Sequence, residues 1–400
     1  MKITIVSYFD CGGAGIAALR LHKALLQSGI DSSMLCISKA TNTPKVYEYK
    51  RSLITKIIEH LPIPYKQNKY KKHYNKLRED YICTSFPEAI YDIAEHPLIK
   101  QADIINLHWV GEMLNYPKFF AKVKKPIVWT LHDNNPFLGI AHYRCEKELN
   151  LQHKELEAKI CNIKSTAINK HNNVSVVNLC NWMKAESEKS NAFINSKHTI
   201  IPNSIDINTF KVYDKKTIRD ELELPNDKPV ILFVSHDVKN PWKGFNILKD
   251  AIEQLEKDCF LLIVGNSNST LDIQNEHKFM GNIRDEQLMA RIYAAADVFI
   301  LPTLEDNLPN TMVESLCCGT PVISFSNGGM TDYIKTMKNG ILVKEPNSKE
   351  LLHAINTFLD NINTFDDRET ISKENHKIFA PQLQAERYIE FFKSILKETH

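Results

Sequence analysis

Several features that would classify a chain at once are missing from these 400 residues. No stretch approaches the roughly 20 consecutive apolar residues that a membrane-spanning helix needs. The opening run, MKITIVSYFD, stops at Asp10 without a small-residue cleavage site, so a secretory leader is not expected. Nine cysteines contain no CxxC pair, and an odd, scattered set fits reduced thiols better than a disulfide framework. Excess charge is missing too. Fifty basic against 48 acidic side chains leave +2, which argues against a nucleic-acid partner and leaves room only for a local basic patch. Solenoid-period repeats and low-complexity segments are also absent. The expectation is a cytoplasmic protein.

What is present is a globular composition, 43% hydrophobic and 24% charged, at a length that predicts two domains. In the first half, ITIVSYF (3–9) reads as a buried strand and AGIAALRLHKALLQSG (14–29) as a helix; SSMLCIS, ADIINLHW, KPIVWTLHD and VSVVN read as further strands. The pattern breaks on a Pro-Asn turn in IIPNSIDINTF (200–210) and restarts with PVILFVS (229–235). CFLLIVG, ADVFIL, PVISF and GILV alternate there with helices from about Gly244, at Asp285 and over 310–318. Strands alternating with helices predict parallel sheets covered on both faces. The chain therefore reads as α/β, with two doubly wound Rossmann-like domains, 1–203 and 204–380, facing across a cleft. A C-terminal helix over 381–400 is expected to pack back on the first. Ligands of open α/β sheets bind beyond the carboxyl ends of the strands.

The chemistry concentrates in LEDNLPNTMVESLCCGTPVISF (304–325), where Asp306 and Glu314 stand eight positions apart. A strand, a tight loop and a helix closed by Gly319 are expected, with Asn310 at the N-cap. The backbone N–H groups of Asn310, Thr311 and Met312 would then face the ligand. Such a helix start attracts phosphate, while carboxylates accept paired hydrogen bonds from vicinal hydroxyls. An acid on either side of a phosphate site suits a nucleotide sugar; a strand–loop–helix with no ligand is the plainer alternative. WKGFNIL (242–248) adds Lys243, placed to reach the same pyrophosphate.

These segments carry a resemblance. Through WKGF, GNIRDEQLMARIYAAADVFILPT, EDNLPNTMVESLCCGTPVISF and GGMTDYI, residues 230–345 resemble the donor-binding domain of family 4 retaining glycosyltransferases. The likeness is to the bacterial polysaccharide-biosynthesis type, which has the GT-B fold. An acid, seven residues and a glutamate form that family's signature, and Asp306 and Glu314 occupy its two places. By resemblance, Asp306 would contact donor-sugar hydroxyls, Glu314 the ribose and Lys243 the diphosphate. Asn282, Ile283 and Arg284 would meet the base. Asp306 and Asn307 through Leu308, Pro309, Asn310 and Thr311 would line the sugar and phosphates. Many members have glutamate at the Asp306 place and Phe-Gly at Leu308-Pro309. The arginine that often precedes the lysine is absent from SHDVKNPWKGF, leaving His236 and Lys239 as candidates to replace it.

In the first half, DCGGAGIAALR (10–20) opens a helix after a strand. By the same resemblance, Gly12 and Gly13 would let donor and acceptor approach the backbone. Gly13-Ala-Gly15-Ile-Ala-Ala18 also fits a loose dinucleotide fingerprint, but the second strand ends in Ser38-Lys39 rather than an acid. TLHDNNPFLGIAHYRC (130–145) resembles a stretch of the polysaccharide members and gathers His132, Asp133, His142 and Arg144. His132 would contact the donor sugar as a third catalytic residue beside Lys243 and Asp306. Asp133, His142 and Arg144 are the acceptor-side candidates. Cys145 and Cys161 stand at no recognised zinc spacing, and neither metal nor cofactor is expected. Residues 39–78 hold eleven lysines and arginines against two glutamates, a candidate contact with an anionic membrane surface at about 1 kcal/mol per basic residue. A solvated helix face is the alternative.

The expected activity is sugar transfer, with retention, from a nucleoside-diphosphate sugar to a glycan or lipid-linked acceptor. The setting would be cell-surface polysaccharide, lipopolysaccharide or capsule synthesis at the inner face of the membrane. The rivals are a non-catalytic sugar-binding protein of the same architecture, a Rossmann dehydrogenase and a glycoside hydrolase, whose carboxylates must flank one bond at about 5–9.5 Å.

Overall fold

The alternation of β-branched runs with amphipathic stretches folds into two parallel sheets. The computed structural model describes residues 1–50, 77, 79–267 and 272–399. Contacts divide the chain into two units, Met1–Asn203 with Gln382–His400, and Ser204–Pro381. No helix among the described residues is long and apolar enough to cross a membrane. Most of the basic stretch 39–78 lies outside the described residues.

The first unit holds β1 (Lys2–Phe9), β2 (Asp31–Ser38), β3 (Val46–Glu48), β4 (Ile104–Leu107), β5 (Ile127–Thr130), β6 (Val174–Asn178) and β7 (Lys197–Ile200). Their order is β3-β2-β1-β4-β5-β6-β7. Every residue of β4, β5 and β6 is buried, as expected of strands covered on both faces. The chain steps from β1 out to β3 and then returns on the other side of β1 with β4. This reversal parts the connecting loops at the carboxyl ends of β1 and β4. Two bonds carry the pairing beyond β4, from His108 N to Val6 O at 2.9 Å and from Tyr8 N to Trp109 O at 2.8 Å. On one face, the helix Gly12–Gln27 buries Ala17, Ala18, Leu21, Ala24 and Leu25, the three-to-four spacing of an apolar stripe. Helix Pro381–Thr399 joins the same cluster through Ala385, Tyr388, Phe392 and Ile395. Each large side chain buried there stabilises the unit by about 1.5–3 kcal/mol.

Beneath the loop that follows β5 lies the helix Lys154–Asn169, which presents two buried charges. Glu157 accepts from Ile140 N at 2.9 Å and Ala141 N at 3.1 Å. Lys164, fully buried, donates to Asn135 O at 2.8 Å, Asn135 Oδ1 at 2.9 Å and Gly139 O at 2.7 Å. Burial pulls its pKa down to about 7 against the pull of Glu157 and Asp133, while three oxygens match the three N–H bonds of an ammonium.

The second unit holds β8 (Val230–Asp237), β9 (Phe260–Asn266), β10 (His277–Phe279), β11 (Val298–Leu301), β12 (Val322–Phe325) and β13 (Gly340–Val343). Their order, β10-β9-β8-β11-β12-β13, reverses between β8 and β11. At the amino ends of these two strands sits Asp297. It accepts from Arg219 Nη2 at 2.6 Å, Lys215 Nζ at 2.8 Å and Val230 N at 2.7 Å. Burial opposes the carboxylate, but the two cations and the backbone donor hold its pKa below the usual range. A buried charge so fully partnered is structural.

Lys164→Met leaves two carbonyls and an amide oxygen buried without their donor. It is expected to lower unfolding free energy by about 3 kcal/mol in urea titration, and a loss under about 1 kcal/mol contradicts the assignment.

Candidate active site

In the second unit, the chain leaving β8 makes a single tight turn, Pro241–Lys243, before the helix Phe245–Ile252. Gly244 links them with φ +72°, and a Cβ there would lie 1.9 Å from Pro302 O. Only glycine takes that backbone shape at that distance. Leu304 N and Thr303 Oγ1 both donate to Trp242 O, at 2.8 and 3.1 Å. The turn after β8 is thereby locked to the loop after β11. As a result Lys243 Nζ donates to Asp306 Oδ2 at 2.7 Å, with the two side chains 26% and 21% exposed.

From the other side, the loop carrying Asp306 is held by residues 327–329. Asn327 Nδ2 donates to Thr303 O and Leu304 O, at 3.0 and 3.1 Å. Gly329 N donates to Asn307 O at 2.6 Å. Gly328 has φ +51°, and a Cβ on it would fall 1.7 Å from Asp306 O. Asn307, Leu308 and Pro309 are buried beneath.

Helix Asn310–Cys317 follows, with Pro309 rather than Asn310 in the N-cap place and no side-chain cap. The proline ring fixes φ, here −62° with ψ 122°, and the ring has no oxygen to offer. Asn310 is thus the first helical residue. Of the three amides expected to face a phosphate, that of Met312 is engaged by Pro309 O at 3.1 Å. Glu314 lies on the second turn, half-buried, and accepts from the buried Tyr293 hydroxyl at 3.2 Å. Asn282, Ile283 and Arg284 lie between β10 and the helix Glu286–Ala295. Asn282 and Arg284 are exposed, and the preceding Gly281 O accepts from Gly265 N at the end of β9. An ammonium, two reachable carboxylates and a helix start thus share the carboxyl edge of one sheet, where they can take up an anion and hydroxyls.

In the first unit His132 and Asp133 leave the end of β5. His132 Nε2 lies 2.8 Å from His108 Nδ1, and His108 Nε2 lies 3.0 Å from Asn106 Oδ1. Burial lowers the His132 pKa to about 4 and drives that of His108 well below its ordinary value. Asp133 Oδ2 accepts from Trp109 Nε1 at 2.8 Å and meets His142 Nδ1 at 2.6 Å, while Asp133 Oδ1 accepts from Asn135 N at 3.0 Å. Burial opposes the His142 imidazolium, but Asp133, with Cys83 beside it, pushes the pKa up to about 10. A small cavity of about 10 Å³ is lined by His132, Asp133, Trp109, Tyr116 and His142 among others.

Ser85 Oγ lies 2.8 Å from His142 Nε2, so Ser85, His142 and Asp133 copy the order of a hydrolase triad. An imidazolium has no lone pair to take a serine proton, and Ser85 is 1% exposed. The cluster is a clamp.

The model of the family Glycosyl transferases group 1 matches residues 214–378. The matched segment lies within the second unit, Ser204–Pro381. Among curated relatives, a putative teichuronic acid biosynthesis glycosyltransferase, TuaC of Bacillus subtilis, is 28% identical over 180 residues, 44% of each chain. A D-inositol 3-phosphate glycosyltransferase of Xylanimonas cellulosilytica is 27% identical over 162 residues, 36% of this chain and 38% of that one. These matches span less than half the length of the curated relatives. Among solved structures, sucrose-phosphate synthase of Thermosynechococcus elongatus superposes with a TM-score of 0.72 at 17% identity, over 99% of both chains. Anabaena HepE, crystallised with UDP-glucose, superposes at 0.65 and 18% identity, over 98% of this chain and all of that one. At that identity the likeness shows the fold, which is GT-B.

Within the matched segment, Lys243 and Asp306 are in direct contact, and Asp306, Asn307, Leu308, Pro309, Asn310, Thr311 and Glu314 follow on one loop and helix. His236 and Lys239 are exposed at the end of β8 and just after it. In the first unit, His132, Asp133 and His142 cluster, whereas the Arg144 guanidinium binds Glu148 at 2.8 Å and Glu186 at 2.9 Å on the surface. Gly12 and Gly13 form the exposed first turn of the helix Gly12–Gln27, which starts two residues earlier than the sequence pattern suggests. Lys39, which stands where a dinucleotide fingerprint would want an acid, donates to Val46 O at 2.8 Å and is engaged by backbone. The sequence did not single out Tyr293, His108 or Trp109. The last two stand at the end of ADIINLHW, and only the pairing of β4 beside β5 brings them to His132 and Asp133.

Gly328→Ala must push the Asp306 loop aside. It is expected to lower stability by about 2 kcal/mol, read by thermal unfolding; unchanged stability contradicts the clamp. His142 is held charged only when folded, so its contribution is full below its ordinary pKa of 6.5 and is lost as pH rises toward 10. In His142→Gln, unfolding free energy measured across that window should lose this slope. An identical slope in both proteins contradicts the pairing.

Proposed function

We propose that the protein transfers a hexose, with retention of configuration, from a nucleoside-diphosphate sugar to a glycan or lipid-linked acceptor in cell-surface polysaccharide synthesis. The observation that carries this reading is the solvent-reachable Lys243–Asp306 pair at the strand reversal of the second unit. Diphosphate would draw Lys243 away from Asp306, freeing the carboxylate for sugar hydroxyls. Glu314, oriented by Tyr293, would accept from the ribose hydroxyls, and residues 282–284 would border the base. As the bond from the sugar carbon to the diphosphate breaks, Lys243 and the start of the helix Asn310–Cys317 would stabilise the departing charge. The acceptor oxygen then bonds that carbon on the same face, and its proton passes to the leaving phosphate oxygen. His132 is assigned to a sugar hydroxyl.

The names of the relatives support the setting. TuaC is named for teichuronic acid biosynthesis, and WaaG, a structural neighbour with a TM-score of 0.64, is described as acting in lipopolysaccharide biosynthesis. HepE was crystallised with UDP-glucose and with UDP, which makes a uridine nucleotide the first donor to try. Contact with an anionic membrane through residues 39–78 is part of the same proposal.

Incubation with UDP-, GDP- and ADP-hexoses should release nucleoside diphosphate from one donor class. Lys243→Ala should slow release about 100-fold or more, and Glu314→Ala should weaken binding of the nucleotide. Neither turnover nor nucleotide binding across the panel contradicts the reading.

A further inference from the structure

A chain of hydrogen bonds inside the first unit has its direction set by one carbonyl. Asn106 Nδ2 lies 3.0 Å from Val128 O, which can only accept. That contact fixes the amide orientation, and the same nitrogen donates to Thr130 Oγ1 at 3.0 Å. Thr130 Oγ1 is in turn 2.9 Å from the Tyr388 hydroxyl on the helix Pro381–Thr399. With both N–H bonds of Asn106 used, its Oδ1 can only accept. It lies 3.0 Å from His108 Nε2, so that nitrogen carries a proton.

Burial keeps the His108 ring neutral, and its remaining nitrogen, Nδ1, therefore holds a lone pair. The atom facing it at 2.8 Å is His132 Nε2, which must supply the hydrogen. His132 is also neutral around pH 7, which leaves its own Nδ1 without a proton. The groups around this pair include the Asp133 carboxylate, the His142 imidazolium that neutralises it, and the Tyr116 hydroxyl on the cavity wall. Asp133 is engaged by Trp109, His142 and Asn135 and is not bonded to the His132 ring.

We propose that His108 is a positioning residue that holds His132 as the Nε2–H tautomer, so that His132 presents a bare Nδ1 to the ligand. A bare ring nitrogen accepts a hydroxyl hydrogen and repels carboxylate or phosphate oxygen. The inference deepens the proposed function: at this position the ligand offers a neutral sugar hydroxyl, not the acid group of a uronic acid. Phenylalanine in place of His108 would fill the space yet remove the acceptor, freeing His132 to exchange tautomers and to protonate more readily.

The test is nitrogen-15 NMR of the full chain labelled at histidine, with the His132 signals assigned by their loss in His132→Gln. At pH 7 the wild type should show His132 with Nε2 protonated and Nδ1 in the range of a bare imidazole nitrogen. In His108→Phe the two signals should move toward the averaged tautomer positions, and the midpoint of the His132 titration should rise. Should His108→Phe not fold, the wild-type spectrum decides alone. An Nδ1–H tautomer or a charged ring at pH 7 overturns the proposal, as does a His132 spectrum unchanged by His108→Phe. These readouts need no turnover, so they stand apart from the fate of the transferase reading. If a donor is found, the neutral hexose should be used at least tenfold faster than its uronic acid counterpart. A preference for the uronic acid contradicts the assigned ligand chemistry.

Discussion

Everything in the second unit turns on one ion pair placed at a topological reversal. Because β8 and β11 are neighbours in space but far apart in sequence, the turn bearing Lys243 and the loop bearing Asp306 emerge side by side. Backbone bonds at Trp242, the close approach of Gly244 and the grip of residues 327–329 leave those side chains little choice of position. The same two strands carry another carboxylate at their opposite ends. Asp297 is buried and wholly consumed by Arg219, Lys215 and the start of β8. Asp306 has a single lysine and an open side. One end of the strand pair secures the fold, and the other leaves an ion pair partly exposed.

The first unit solves a different problem, holding a loop of polar residues still after β5. Glu157 and Lys164 tie its backbone from below, and the Asp133–His142 pair ties it internally. Burying four ionisable groups so close together opposes folding unless each finds partners. Glu157 and Lys164 find theirs chiefly in backbone groups of the loop, while Asp133 and His142 find theirs in each other, Trp109, Asn135 N and Ser85, so the loop's shape and the charge state of its side chains are coupled.

How far the sequence revealed this depended on the range of the interaction. Alternating β-branched and amphipathic runs gave the parallel sheets, because each strand's burial is written in its own residues. Asp306 and Glu314 were readable because a strand, loop and helix keep them at fixed spacing. Pro309 taking the N-cap place from Asn310 was not, since both residue types occur at helix starts and the choice lies in one ψ angle. His108 and Trp109 passed as the end of a strand, because their role depends on β4 lying beside β5. Arg144 looked like part of the histidine cluster by proximity in sequence, but Glu186, 42 residues later, claims it. Lys164 on its helix gave no sign that it would be buried, since its acceptors are carbonyls of a loop 25 to 29 residues earlier.

The central claim is that Lys243 exchanges Asp306 for a nucleoside diphosphate. Calorimetric titration of the full chain with UDP and with GDP, in wild type, Asp306→Asn and Lys243→Met, tests it most directly. Removing the competing carboxylate should tighten binding of the preferred diphosphate, and removing the lysine should weaken it. Equal affinity in all three proteins, or no binding of either nucleotide, would contradict the claim.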